Sequence, residues 1–151
     1  MDRALVVVDS TDTSENLLSE AGTLAAGVDA ELVVLSLLTD EELERDLEQL
    51  AAIDSVEKTG YGTATVLEAA KNGVKTTVEE CLSDIGVRCE VIASLDKDRR
   101  AATIVSVADE YDCDHVFIAG KKRSPTGKAV FGDATQGVIL NFDGHVTVAL
   151  E

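Results

Sequence analysis

Residues 115–132 read HVFIAGKKRSPTGKAVFG. The first five, His115–Ala119, form an apolar run with β-branched content, as a strand buried on both faces needs. From Gly120 to Gly132 the character changes at once. Lys121, Lys122, Arg123 and Lys128 put four of the chain's 13 basic residues within eight positions. The same stretch carries three glycines and the only proline, Pro125. A buried strand that runs into a glycine-bounded loop and then a helix, here from Asp133 to Asn141, is the unit from which open parallel sheets are built.

Four more short apolar runs flank this unit: Ala4–Val8, Leu32–Leu38, Cys89–Ala93 and His145–Leu150. The first two are again almost continuously apolar. Helical periodicity fills the spaces between them. Asp12 to Gly27 places Leu17, Leu18, Ala21, Leu24 and Ala25 on one face, with Asp12 and Glu15 at capping-box spacing. Asp40 to Ile53 is acidic and amphipathic. Thr63 to Ile85 carries Val66, Ala70, Val74, Val78, Cys81 and Leu82 in one stripe, with Gly86 as its stop. Arg99 to Tyr111 sets Ile104, Val105 and Ala108 on one side.

Strands alternating with helices predict one α/β domain over residues 1–151. Its sheet is five-stranded, parallel and ordered 3-2-1-4-5, with helices on both faces in a Rossmann-like arrangement. No Gly-x-Gly-x-x-Gly follows the first strand, which argues against a dinucleotide fold. Asp54–Gly62, with two glycines, is the expected mobile connection.

The chain has 151 residues, enough to bury a core without disulfides or metals. It is 45% apolar but only 3% aromatic, so Val, Leu, Ile and Ala must build that core. Its formal charge is −16, from 29 acids against 13 bases. Such a surface repels nucleic acid and anionic membranes. It is either an ordinary solvated acidic surface or an adaptation to a high-salt cytoplasm, and the even spread of acids along the chain favours the second. Cys81, Cys89 and Cys113 have no zinc or redox spacing and are expected to be buried thiols. No leader and no membrane-length apolar stretch is evident, so a cytoplasmic location is expected.

In the expected sheet, ligands bind at the carboxyl ends of the strands, where the order reverses between the first and fourth. Asp9, Ser10 and Thr11 follow the first strand, and the 120–132 loop follows the fourth. Glycines allow close approach of backbone N–H groups, and the next helix offers its positive end. The loop is therefore a phosphate cradle, or else a solvated loop whose lysines offset nearby carboxylates. It is not a Walker A loop: six residues separate Gly120 from Gly127, and Ala129 follows Lys128 where a hydroxyl is needed. His115 and His145 open strands without a partner pattern and read as structural. Arg99 and Arg100 begin a helix, facing either the anion site or an acidic neighbour.

The whole chain resembles the universal stress protein family. Ala-Leu-Val-Val-Val-Asp-Ser, residues 4–10, resembles that family's first strand and terminal aspartate. Ala30–Leu38 resembles its second strand. Asp112–Gly120, the loop, and Gly-Asp-Ala-Thr-Gln at 132–136 resemble its fourth strand and nucleotide loop. Gly-His-Val-Thr-Val-Ala-Leu, 144–150, resembles its last strand. Residues 40–62 match least.

In that family's ATP-binding members the loop runs Gly, two residues, Gly, nine residues, Gly, then Ser or Thr. Gly120 matches the first glycine and Gly132 the third. Arg123 replaces the second, and only eight residues separate it from Gly132. Asp133 stands in the place of Ser or Thr, while Thr135 matches a hydroxyl position. Asp9 matches the carboxylate that faces the nucleoside, and Leu37 lies near the adenine position. The resemblance thus implies a nucleotide site from Asp9, Ser10, Leu37, Gly120, Lys121, Arg123, Gly127, Lys128, Gly132, Asp133, Ala134 and Thr135. Arg123 gives up backbone approach but offers a bidentate phosphate contact. Asp133 either caps the helix in a member that has lost ATP or holds a hydrated Mg²⁺ arriving with the nucleotide.

What the resemblance implies is a regulatory module that binds ATP or another adenine nucleotide without a dedicated catalytic group. The alternative is a homodimeric interaction protein, paired through His145–Leu150, whose ligand site is degenerate. A slow nucleotide hydrolase ranks third, because no general base is evident.

Overall fold

A computed structural model of the chain describes residues 1–9, 12–54, 60–120 and 132–150; for Asp12, Ile53, Asp54, Gly60 and Tyr61 it describes the backbone alone. The elements in chain order are β1 (Arg3–Val8), α1 (Asp12–Gly27), β2 (Glu31–Leu38), α2 (Asp40–Asp54), α3 (Gly60–Leu82), β3 (Cys89–Leu95), α4 (Arg100–Glu110), β4 (His115–Gly120), α5 (Asp133–Asn141) and β5 (His145–Leu150). The five strands form one sheet in the order β3-β2-β1-β4-β5. Every pairing is parallel. Both the order and the direction agree with the alternation of apolar runs.

The two-residue period of the strands divides the core in two. Leu5 and Val7 of β1, Val33, Leu35 and Leu37 of β2, and Val116 and Ile118 of β4 face one side, where Ile104, Val107 and Ala108 of α4 and Val138 of α5 cover them. Ala4, Val6 and Val8, Leu32 and Val34, and Phe117 face the other, under Leu17, Leu18 and Ala21 of α1 and Val78 and Leu82 of α3. Phe117 is fully buried there. Truncating it to Ala would cost about 3–5 kcal/mol in transfer and cavity energy.

Helices α1 and α4 end alike. Asp29 and Asp112 adopt φ of 58° and 55°, a left-handed stop usually given to glycine. Ala30 N–H then reaches back to Ala25 O, and Cys113 N–H to Ala108 O, each at 2.8 Å. At the amino end of the sheet, Arg3 fastens three segments. Its Nη2 donates to Glu31 Oε2 at 2.7 Å and its Nη1 to Tyr111 O at 2.8 Å.

Several sequence expectations need correction. Gly60 and Gly62 belong to α3, not to a connection; the first helical turn needs no i−4 bond from its amides and tolerates them. Residues 55–59 of the expected mobile connection lie outside the described residues. Helix α3 stops at Leu82, with Ile85 N–H closing a turn onto Leu82 O, before Gly86 is reached. Leu24 is exposed, because α1 buries the narrower stripe of Leu17, Leu18, Ala21 and Ala25. Only Cys113 of the three thiols is buried; Cys89 opens the edge strand β3 and is exposed.

Candidate functional site

Strand β1 leaves the sheet at Val8, and its neighbours there are β2 and β4. Just past it, Asp9 N–H donates to Ser14 Oγ at 2.7 Å. Ser14 itself is almost fully buried, so this bond ties the exit of β1 to the first turn of α1. Asp9 lines a cleft of about 650 Å³ at the end of the sheet. The floor comes from Val8 of β1 with Ser36, Leu37 and Leu38 of β2. The walls are Glu42, Arg45 and Asp46 of α2, Gly73, Val74 and Thr77 of α3, and Arg100 of α4. A second, mainly apolar hollow of about 360 Å³ adjoins it between α2 and α3, sharing Asp46 and Ala70.

The structure brings Asp9 and Leu37 together in this cleft, from two different strands. It gathers another part of the expected set at the exit of β4. Thr135 is buried and lies against Gly120, so that a Cβ on Gly120 would sit 3.2 Å from Thr135 Oγ1 and 3.1 Å from Val148 Cγ1. Gly132, Asp133 and Ala134 lead into α5 beside them. Gly132, not Asp133, is the N-cap, and no side chain among the described residues caps the helix. Asp133 occupies the first turn, where its exposed carboxylate still interacts favourably with the helix dipole. Ser10, Lys121, Arg123, Gly127 and Lys128 lie outside the described residues.

Two features of the site were open or unread in the sequence. Of the alternatives set for Arg100, the acidic neighbour is observed: its Nη1 stands 3.7 Å from Asp96 Oδ2, and the side chain also lines the cleft. Asp96 follows β3 as Asp9 follows β1, so the rule of strand carboxyl ends would have found it. It is buried and saturated with bonds. Its N–H donates to Leu38 O at 2.9 Å, its carbonyl accepts from Arg99 N–H at 2.8 Å, and its Oδ1 accepts from Asp98 N–H at 3.2 Å. Between them, Lys97 and Asp98 hold φ of 51° and 55°. Two consecutive left-handed, non-glycine residues cost about 1 kcal/mol or more each. Asp96 holds the turn in that form.

The histidines also acquire partners. His115 and His145 are direct neighbours in the β4–β5 register, with ring centroids 5.8 Å apart, and His115 Nε2 lies 2.7 Å from Thr147 Oγ1. Seeing this required the strand register, which spacing alone does not supply. Burial first, and then the neighbouring His145, hold the His115 imidazole below its ordinary pKa, with Asp114 opposing. These rings sit at the starts of their strands, away from the cleft. Among the described residues no group of three metal-ligating side chains occurs. None of the described helices is long and apolar enough to cross a membrane.

A five-stranded parallel sheet in the order 3-2-1-4-5, with an open cleft beside the exits of β1 and β2, defines a doubly wound α/β domain. Within that class, the chain belongs to the universal stress protein family, whose model matches residues 1–149. Among solved structures it is similar to a universal stress protein from Archaeoglobus fulgidus, at 23% identity over 98% of each chain and a TM-score of 0.61. It is also similar to a universal stress protein in complex with cAMP, at 15% identity over 99% of this chain and 96% of that one, with a TM-score of 0.64. A universal stress protein from Archaeoglobus fulgidus in complex with dAMP aligns at 18% identity over 98% and 97%, with a TM-score of 0.56. At such identities the likeness speaks for the fold. Among curated proteins none matches the chain.

Proposed function

We propose that this chain is a regulatory module that binds an adenine nucleotide in the cleft beyond β1 and β2, without a dedicated catalytic group. One observation carries the reading: Asp9 and Leu37, the residues that the family resemblance puts at the nucleoside, line a single cleft of about 650 Å³ although 28 positions separate them. Two structural neighbours are described with cAMP and with dAMP, which supports the adenine class. In this reading ATP is one candidate ligand and Mg²⁺ arrives with it, near Asp133. The basic 120–132 segment and the start of α5 receive the phosphates. Purification at high salt followed by gentle denaturation should release a nucleotide. Calorimetric titration with ATP and Mg²⁺ should show binding that Lys128→Ala weakens. If neither a released nucleotide nor titration heat is found at molar salt, the reading is wrong.

A second reading has its own observation. Strand β5 is an edge of the sheet, its residues are only partly covered, and Leu140 and Leu150 stand exposed at 80% and 48%. An uncovered edge with apolar side chains around it favours pairing with a second copy. In this reading the homodimer through His145–Leu150 is the functional unit, whether or not the cleft is filled. Light scattering across a concentration series tests it, and a monomer throughout would refute it.

A further inference from the structure

We propose that Arg100 is a ligand-contacting residue of the cleft, that it binds the anionic phosphate of the ligand from the α4 side, and that Asp96 is its positioning residue. The proposal rests on the adenine-nucleotide reading for the identity of the ligand, but not for the anion contact itself.

The placement of Arg100 runs against the local electrostatics. It is the first residue of α4, where the helix dipole disfavours a cation. A solvated arginine would extend away from that end. Here the side chain is only 31% exposed, lines the cleft, and is held near the buried Asp96 carboxylate. The contact at 3.7 Å is an ion pair rather than a close hydrogen bond, so the guanidinium keeps donors for a ligand. Arg45, the other cation lining the cleft among the described residues, stands exposed on α2. Arg100 is therefore the better organised of the two.

The packing of α4 on α5 decides what Arg100 meets. Its neighbour Ala101 touches Gly137, one turn into α5 from Asp133. The starts of the two helices thus lie side by side at the carboxyl end of the sheet. The amide end of α5 attracts an anion, while Asp133 in its first turn repels one. In the proposal Arg100, coming from the adjacent helix start, supplies positive charge for an anion in a cleft also lined by Asp9, Glu42 and Asp46. A planar guanidinium suits a phosphate, which it can grip through two parallel N–H bonds. Asp96 binds both the left-handed Lys97–Asp98 turn, through Oδ1, and the guanidinium, through Oδ2.

The test compares adenosine, AMP and inorganic pyrophosphate on the wild type, Arg100→Ala, Arg100→Lys and Asp96→Asn, each checked for native circular dichroism. Arg100→Ala should weaken AMP by about tenfold to hundredfold and leave adenosine within twofold, as loss of a charge-assisted contact predicts. Arg100→Lys should fall between, and Asp96→Asn should follow Arg100→Ala in direction with a smaller loss. Equal losses for adenosine and AMP, or no loss for AMP, overturn the role of Arg100 while the adenine reading stands. If the wild type binds neither adenosine nor AMP, the adenine reading fails. The Arg100 Nε–H resonance under pyrophosphate then decides the anion contact: a saturable shift supports it, and a static signal overturns it.

Discussion

Ala101 and Gly137 touch so closely that a methyl group placed on Gly137 would lie 2.5 Å from the Ala101 Cβ. The crossing of α4 and α5 is set by this absence of a side chain. Gly73, in α3, has nothing within 4 Å of such a methyl group. The two glycines should therefore respond to alanine with opposite signs. Gly137→Ala should destabilise by about 1–3 kcal/mol through overpacking. Gly73→Ala should stabilise by about 0.5–1 kcal/mol through helix propensity. Urea denaturation of both variants reads the signs directly; a stabilised Gly137→Ala would show that the helices do not pack this closely.

The stacked histidines predict a pH dependence. The folded pKa of His115 is lowered, by burial first and by His145 second. The folded state therefore takes up this proton later than the unfolded chain does. Stability is complete above the ordinary value of 6.5 and declines as pH falls from there through the folded pKa. Urea midpoints from pH 8 to 5 should fall on the acid side, and His115→Gln should flatten that part of the curve. An unchanged slope in the variant would assign the effect elsewhere.

The edge strand predicts a change in association without a change in fold. Leu140 and Leu150 are exposed in the monomer. Leu140→Glu with Leu150→Lys should leave the unfolding free energy within about 0.5 kcal/mol, as surface changes do. On the homodimer reading, the same pair should raise the dimer dissociation constant by at least tenfold in sedimentation equilibrium. Dimers that survive unchanged would place the interface on another face.

The charge of −16 predicts a salt requirement. At 1 M salt the Debye length is about 3 Å, short enough to quench repulsion between most surface acids. The urea midpoint should climb steadily from 0.1 M to 2 M KCl. A flat or falling curve would mean that the acids are merely well solvated, and the high-salt reading would be lost.

The strand order and the core were legible because each strand announces its own burial. Ala4–Val8 has no solvent face, and in the structure none of these five residues is exposed above 6%. The cleft was half legible. Asp9 follows the first strand, where position alone implies a role, whereas Leu37 was marked only by the family resemblance. Arg100 was ambiguous because one neighbour, Asp96, stands four positions away, while the rest of the cleft comes from elements distant in sequence. The histidine pair stayed hidden for a related reason: 30 positions separate His115 from His145, and only the register of β4 on β5 sets them side by side. The expected N-cap at Asp133 failed by one residue, because Gly132 already takes an extended backbone with φ −58° and ψ 156°.

Helix α2 walls the cleft with Glu42, Arg45 and Asp46, yet among its described residues only Leu47 is buried. The sheet loses little if this segment changes. This wall of the cleft thus contributes little to the core, unlike Leu37 on its floor, which belongs to both. Residues 40–54 can therefore be exchanged at small cost to the strands beneath, which makes α2 the wall of the cleft most open to redesign.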